Sequence, residues 1–128
     1  MGLDMYLYRY QDVEKRRHKD RELWLQWRKA NAIHGWFVTE IQGGVDDGNE
    51  YPVSREKLVE LMGLCLKTQS RDPNEARSLL PAMAGPFFGR TDYGELYYDE
   101  LEYTAKQLKI LLDTPESEKV YFYYYAWW

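Results

Sequence analysis

The chain has 128 residues, a net charge of −4 and an isoelectric point near 5.2. That length suits one domain with a real core, and the acidic balance argues against general affinity for nucleic-acid phosphates. Cys65 is the only cysteine, which excludes a disulfide within the chain, and no stretch of the sequence approaches the length of a membrane span.

The N-terminus, Met1-Gly2-Leu3-Asp4-Met5-Tyr6, lacks the basic segment and apolar run of a secretory signal. Tyr6 also stands where a myristoylation motif wants Ser or Thr. A cytoplasmic setting is expected. Leu3 to Tyr10 alternates loosely and carries Tyr6, Tyr8 and Tyr10, so it predicts a strand. Gln11 to Asp20 is charged and predicts a loop or the approach to a helix. Its basic cluster, Lys15-Arg16-Arg17-His18-Lys19, is interleaved with Glu14, Asp20 and Glu22 and reads as a solvated surface.

Arg21 to about Thr39 predicts a long helix with three tryptophans. Its polar residues do not collect on one face: at about 100° per residue, Trp24, Trp27, Arg28, Asn31, His34, Gly35 and Val38 share about a third of the circumference. Gly43 to Asn49 is rich in Gly and Asp and predicts a loop. Pro52 and Val53 lead to Ser54, a good N-cap for a helix over Arg55 to Lys67, with Leu58, Leu61, Met62 and Cys65 as its apolar stripe. Asp72-Pro73 starts another helix, Asn74 to Leu80. Ala84 to Arg90 predicts a short strand entered through Gly85-Pro86. Tyr97 to Asp113 predicts a helix stopped by Thr114-Pro115, and Val120 to Trp128 a strand by β propensity. The expected fold is a single α+β domain over residues 1–128: a small, mostly antiparallel sheet with N-terminal, mid-chain and C-terminal strands, packed by three or four helices.

Familiar catalytic spacings are absent: no phosphate loop, no dinucleotide fingerprint, no His-Glu-x-x-His and no Cys-x-x-Cys. Two histidines, His18 and His34, have no carboxylates spaced to complete a zinc site. Asp46 to Glu50 has the composition of a calcium loop without its alternating ligands. No metal or cofactor is expected. Asp92 with Glu95, or Asp99 with Glu100, are acids that suit a helix N-terminus.

Two groups of residues suit a ligand. Arg28 presents a planar fork of donors for phosphate or carboxylate, Asn31 and His34 add directional hydrogen bonds, and Trp24 and Trp27 offer stacking surfaces. The competing reading is an Arg–Asn–His network that pins the fold. The second group is Phe88, Arg90 and Tyr93, beside Gly89, which permits close approach of the backbone. Together these eight residues are the candidate ligand-binding set, with no catalytic residue assigned.

The segments Gly2-Leu3-Asp4-Met5-Tyr6-Leu7, Trp27-Arg28-Lys29-Ala30-Asn31-Ala32-Ile33-His34-Gly35-Trp36-Phe37, Glu50-Tyr51-Pro52-Val53-Ser54-Arg55-Glu56 and Phe87-Phe88-Gly89, with Tyr93 and Glu95, resemble a widespread family of small bacteriophage and prophage proteins. The resemblance spans nearly the whole chain except the Tyr- and Trp-rich C-terminus. It implies a phage-encoded protein acting in the host cytoplasm, and it supplies no catalytic residues. The expected function is an accessory binding protein that counters host defence by sequestering a small anionic, nucleotide-like immune signal without cleaving it. The alternatives are an inhibitor that binds a host defence protein, and a cryptic hydrolase or transferase using His34 with Asp92 or Glu95. Self-association is compatible with each.

Overall fold

The computed structural model describes residues 2–10, 21–113 and 121–128. The expectations for Gln11–Asp20 and for the Thr114-Pro115 stop lie outside the described residues. The architecture is α+β, with strands β1 (Asp4–Tyr10), β2 (Glu22–Arg28), β3 (Tyr51–Val53) and β4 (Tyr121–Trp127). The helices are α1 (Asn31–Glu40), α2 (Arg55–Lys67), α3 (Pro73–Leu79) and α4 (Glu95–Asp113). The sheet is antiparallel throughout, in the order β2-β1-β4-β3.

The long helix expected over Arg21–Thr39 is instead β2 followed by α1. In β2, Leu25 and Trp27 are buried while Gln26 and Arg28 are exposed. That is the two-residue period of a strand, and wrapped at helical spacing it scatters apolar residues around the whole circumference. β1 supplies the hydrogen-bonding partner, pairing Asp4 with Arg28 and Leu7 with Leu25. The register then slips so that Tyr8 faces Leu23, which leaves Trp24 as a bulge. Lys29 breaks the strand in the left-handed region, φ 57°, and α1 begins two residues later.

The mid-chain strand is also relocated. Ala84–Arg90 is irregular, with a turn in which the Phe88 amide donates to the Gly85 carbonyl at 3.2 Å. Pro86 sets the turn's first central residue, and Phe87 takes φ 58° at the second. The Phe88 ring folds back over Gly85, where a Cβ would lie 2.5 Å from it. A two-residue period cannot survive that reversal. The mid-chain strand is β3, three residues long and containing Pro52 at the edge of the sheet.

The remaining helices follow their local signals. Ser54 caps α2 by accepting from the Lys57 amide, and Asp72 caps α3 by accepting from the Asn74 amide. One face of the sheet, with Met5, Leu7, Leu25, Trp27, Phe122 and Tyr124, shares a core with Ile33 and Phe37 of α1, Leu58 and Leu61 of α2, and Leu101 and Leu108 of α4. Phe37 stacks flat on Tyr124, with centroids 3.7 Å apart. Cys65 is buried here, and burial pushes its thiol far above the ordinary value, so it is a core residue and not a nucleophile. The opposite face carries a separate tyrosine cluster: Tyr8, Tyr10 and Tyr123, flanked by Tyr6 and Tyr125. No helix among the described residues is long and apolar enough to cross a membrane.

Candidate ligand cleft

The eight candidate residues do not come together in one site. Trp27 is in the core, where its indole nitrogen donates to the Thr104 hydroxyl at 2.8 Å. Trp24 is half-buried at the bulge, with the Arg9 guanidinium 4.2 Å above its ring. Neither tryptophan is free to stack on a ligand, because strand geometry turns one into the core and the bulge turns the other toward Arg9.

His34 is fully buried. Its Nδ1 lies 2.6 Å from the Tyr124 hydroxyl and its Nε2 2.9 Å from Asp46 Oδ1. Burial pushes the Tyr124 phenol well above its ordinary value, so it donates to Nδ1. Nε2 then carries the ring proton and donates to Asp46, which fixes a neutral tautomer. The network ties α1 to β4 and to the loop at 43–49, and it contains neither Asp92 nor Glu95. Phe88 packs edge-on against His34 and Trp128.

Burial is the largest influence on His34 and lowers its pKa below 6.5; Asp46 acts in the opposite direction and is outweighed. The unfolded chain therefore binds a proton that the native state resists. Stability is complete above about pH 6.5 and falls as the pH drops below it, by up to ~1.4 kcal/mol per pH unit. Urea midpoints measured from pH 7.5 to 5 should show this slope, and His34→Gln should flatten it. An equal slope in the variant would remove the assignment.

Arg28, Asn31 and Arg90 do converge. They border a cleft of about 400 Å³ together with Lys29, Ala32, Ile33, Gly89, Asp92, Leu96, Tyr97 and Glu100, a size within the range of small-ligand sites. Asn31 contributes its side chain to the fold. Its amide nitrogen donates to the Phe88 carbonyl at 3.0 Å and the Arg90 carbonyl at 2.8 Å, and its oxygen accepts from the Met83 amide at 3.0 Å. Those three bonds hold the Pro81–Tyr93 segment against the N-terminus of α1. Tyr93 supports the same segment from its other side, accepting from the Ala82 amide at 3.0 Å, with Arg77 over its ring.

Lys29, which lines the cleft, lies outside the eight candidate residues. Its left-handed backbone lies between two glycines that are themselves at positive φ. A Cβ on Gly2 would sit 3.1 Å from Lys29 Cε, and one on Gly89 would sit 3.2 Å from Lys29 Cβ. The lysine stem thus runs between two bare backbone positions, and its ammonium makes no ion pair among the described residues. Arg28 lies 3.7 Å from Asp4, and Arg90 donates to Asp92 at 2.7 Å. Behind these cations stands the first turn of α1. No side chain caps it, and the amides of Ala32 and Ile33 have no acceptor among the described residues. Unpartnered amides at a helix N-terminus, backed by the helix dipole, favour an anion.

No cluster of three or more His, Cys, Asp or Glu among the described residues is arranged to hold a metal. Asp47, in the loop that resembles a calcium site in composition, accepts from the Asn49 amide and the Tyr51 hydroxyl. Comparison with protein-family models, with curated proteins and with solved structures returns no match.

Proposed function

We propose that this protein is a phage-encoded, non-enzymatic binder of a small anionic, nucleotide-like ligand, seated in the cleft at the N-terminus of α1. The phage setting rests on the sequence resemblance. The ligand class rests on one observation: a lysine occupies a backbone position better suited to glycine. A non-glycine residue in the left-handed region costs about 1–2 kcal/mol. At Lys29 that cost is borne at the mouth of a cleft backed by uncapped amides, which is the pattern of strain retained at functional sites. In a phage-infected cell such a binder blunts defence by holding a nucleotide signal without consuming it.

Lys29→Gly separates binding from folding. Glycine relieves the backbone, so the variant should melt at the wild-type temperature or a few degrees above it. Its affinity for a nucleotide ligand should fall about tenfold or more, the loss of one charge-assisted contact. Wild-type protein incubated with cyclic nucleotides should deplete the bound species from solution, and heating should return it intact. Recovery of a cleaved product would replace the binder with an enzyme.

A second reading, an inhibitor that docks on a host protein, is favoured by the outer sheet face. Leu23, Tyr121 and Trp127 are 47%, 50% and 60% exposed there, and aromatic residues are enriched at interfaces. It requires capture of a host protein that Lys29→Gly leaves unaffected.

A further inference from the structure

The α4 wall of the cleft carries a different chemistry from its cationic edge. Glu100 is half-buried and lines the cleft together with Leu96, Tyr97 and Leu101 of the same helix. Its side chain has no hydrogen bond or ion pair among the described residues. Desolvation raises its pKa above the ordinary carboxylate value. Glu100 comes from α4, whereas Arg28 and Lys29 come from the end of β2 and Arg90 from the segment before α4. Of the other charged groups that line the site, Asp92 is paired with Arg90. Glu100 is therefore a partly desolvated acceptor in a concave wall, with no side-chain partner among the described residues. Buried polar groups lacking partners are costly, and a ligand that brings a donor removes that cost.

We infer that Glu100 sets the specificity of the cleft, accepting a hydrogen bond from a hydroxyl or amino group of a ligand whose anionic head sits at Lys29 and the first turn of α1. The preferred ligand is bipolar: a phosphate-like anion at one end and a hydrogen-bond donor at the other, as in a nucleoside phosphate. A bare inorganic anion satisfies only the first end. This inference rests on the cleft being the anion site proposed above. Discrimination of this kind is strong because a ligand without the donor leaves the carboxyl unpartnered.

Calorimetric titration of the full chain with adenosine 5′-monophosphate and with inorganic phosphate separates the two ends. Wild-type protein should bind the nucleotide at least tenfold more tightly than phosphate. Glu100→Leu should lose most of that advantage while leaving phosphate affinity within about twofold. Glu100→Gln, which keeps an acceptor oxygen, should recover part of it. Lys29→Gly should weaken both probes. Equal loss of both probes in Glu100→Leu would overturn the inference, as would a nucleotide affinity that this variant leaves unchanged. Phosphate binding with no preference for the nucleotide would sink the inference alone, and no binding of either probe would sink the cleft reading with it. Melting temperatures of the Glu100 variants within a few degrees of wild type show that the fold is intact.

Discussion

His34→Ala is expected to lower the unfolding free energy by about 3–5 kcal/mol, combining a core cavity with two stranded polar groups. The imidazole is fully buried between Phe88, Tyr124 and Trp128, so its removal leaves a void that flat, interlocked rings cannot close easily. It also strands the Tyr124 hydroxyl, which then has no acceptor at Nδ1, and Asp46, which loses the Nε2 donor. A domain of this size has about 5–15 kcal/mol in total, so the variant should unfold at a much lower urea concentration with an unchanged slope. A loss below about 1 kcal/mol would mean that water replaces the ring, and that the network does not hold α1 to β4.

Asn31→Ala is the second large effect, expected at about 2–4 kcal/mol. Alanine leaves the Met83 amide and the Phe88 and Arg90 carbonyls without their partner. The consequence reaches the cleft because Gly89 and Arg90 line it from the segment that Asn31 holds. Asn31→Ala should therefore lose both stability and ligand affinity, whereas Lys29→Gly should lose affinity alone. Thermal melts without ligand distinguish the two: a drop of about 5–15 °C is expected for the asparagine variant. A wild-type melting temperature with lost binding would instead make Asn31 a direct ligand contact.

Most of the fold is written locally. The caps Ser54 and Asp72 mark α2 and α3 where they begin, and the tyrosine-rich ends are strands that pair with each other. The error over Arg21–Thr39 came from a real observation, apolar residues on all sides, interpreted with the wrong period. A strand's hydrogen bonds are made to a distant segment, here β1, and nothing within Glu22–Arg28 shows that partner. The left-handed backbone at Lys29 is equally non-local, since it depends on Gly2 and Gly89 approaching from two other parts of the chain. β3 has no sequence signature, because three residues carry no periodicity and Pro52 argues against a strand.

The candidate residues were legible as a set and not as individuals. Arg28, Asn31 and Arg90 border one cleft, yet Asn31 holds the scaffold while the exposed Lys29 lines the same cleft. In the sequence His34 suits a ligand contact or, with Asp92 or Glu95, a catalytic role. Its partners Tyr124 and Asp46, 90 and 12 residues away, make it a structural tie. Hydrogen-bonding capacity is visible in a sequence; where that capacity is consumed is decided by tertiary contacts.

The two margins of the sheet differ in how readily they could template fibre growth. On one side β3 offers three residues with a proline among them, a poor surface for adding a strand. On the other, β2 runs for seven residues without proline or lysine, but the bulge at Trp24 interrupts it. The regular stretch that remains, Leu25 to Arg28, is shorter than the ~6-residue segments that stack into fibrils. A chain this rich in aromatic β-formers is thereby kept from propagating its own sheet, and the misplaced tryptophan at the bulge is what limits it.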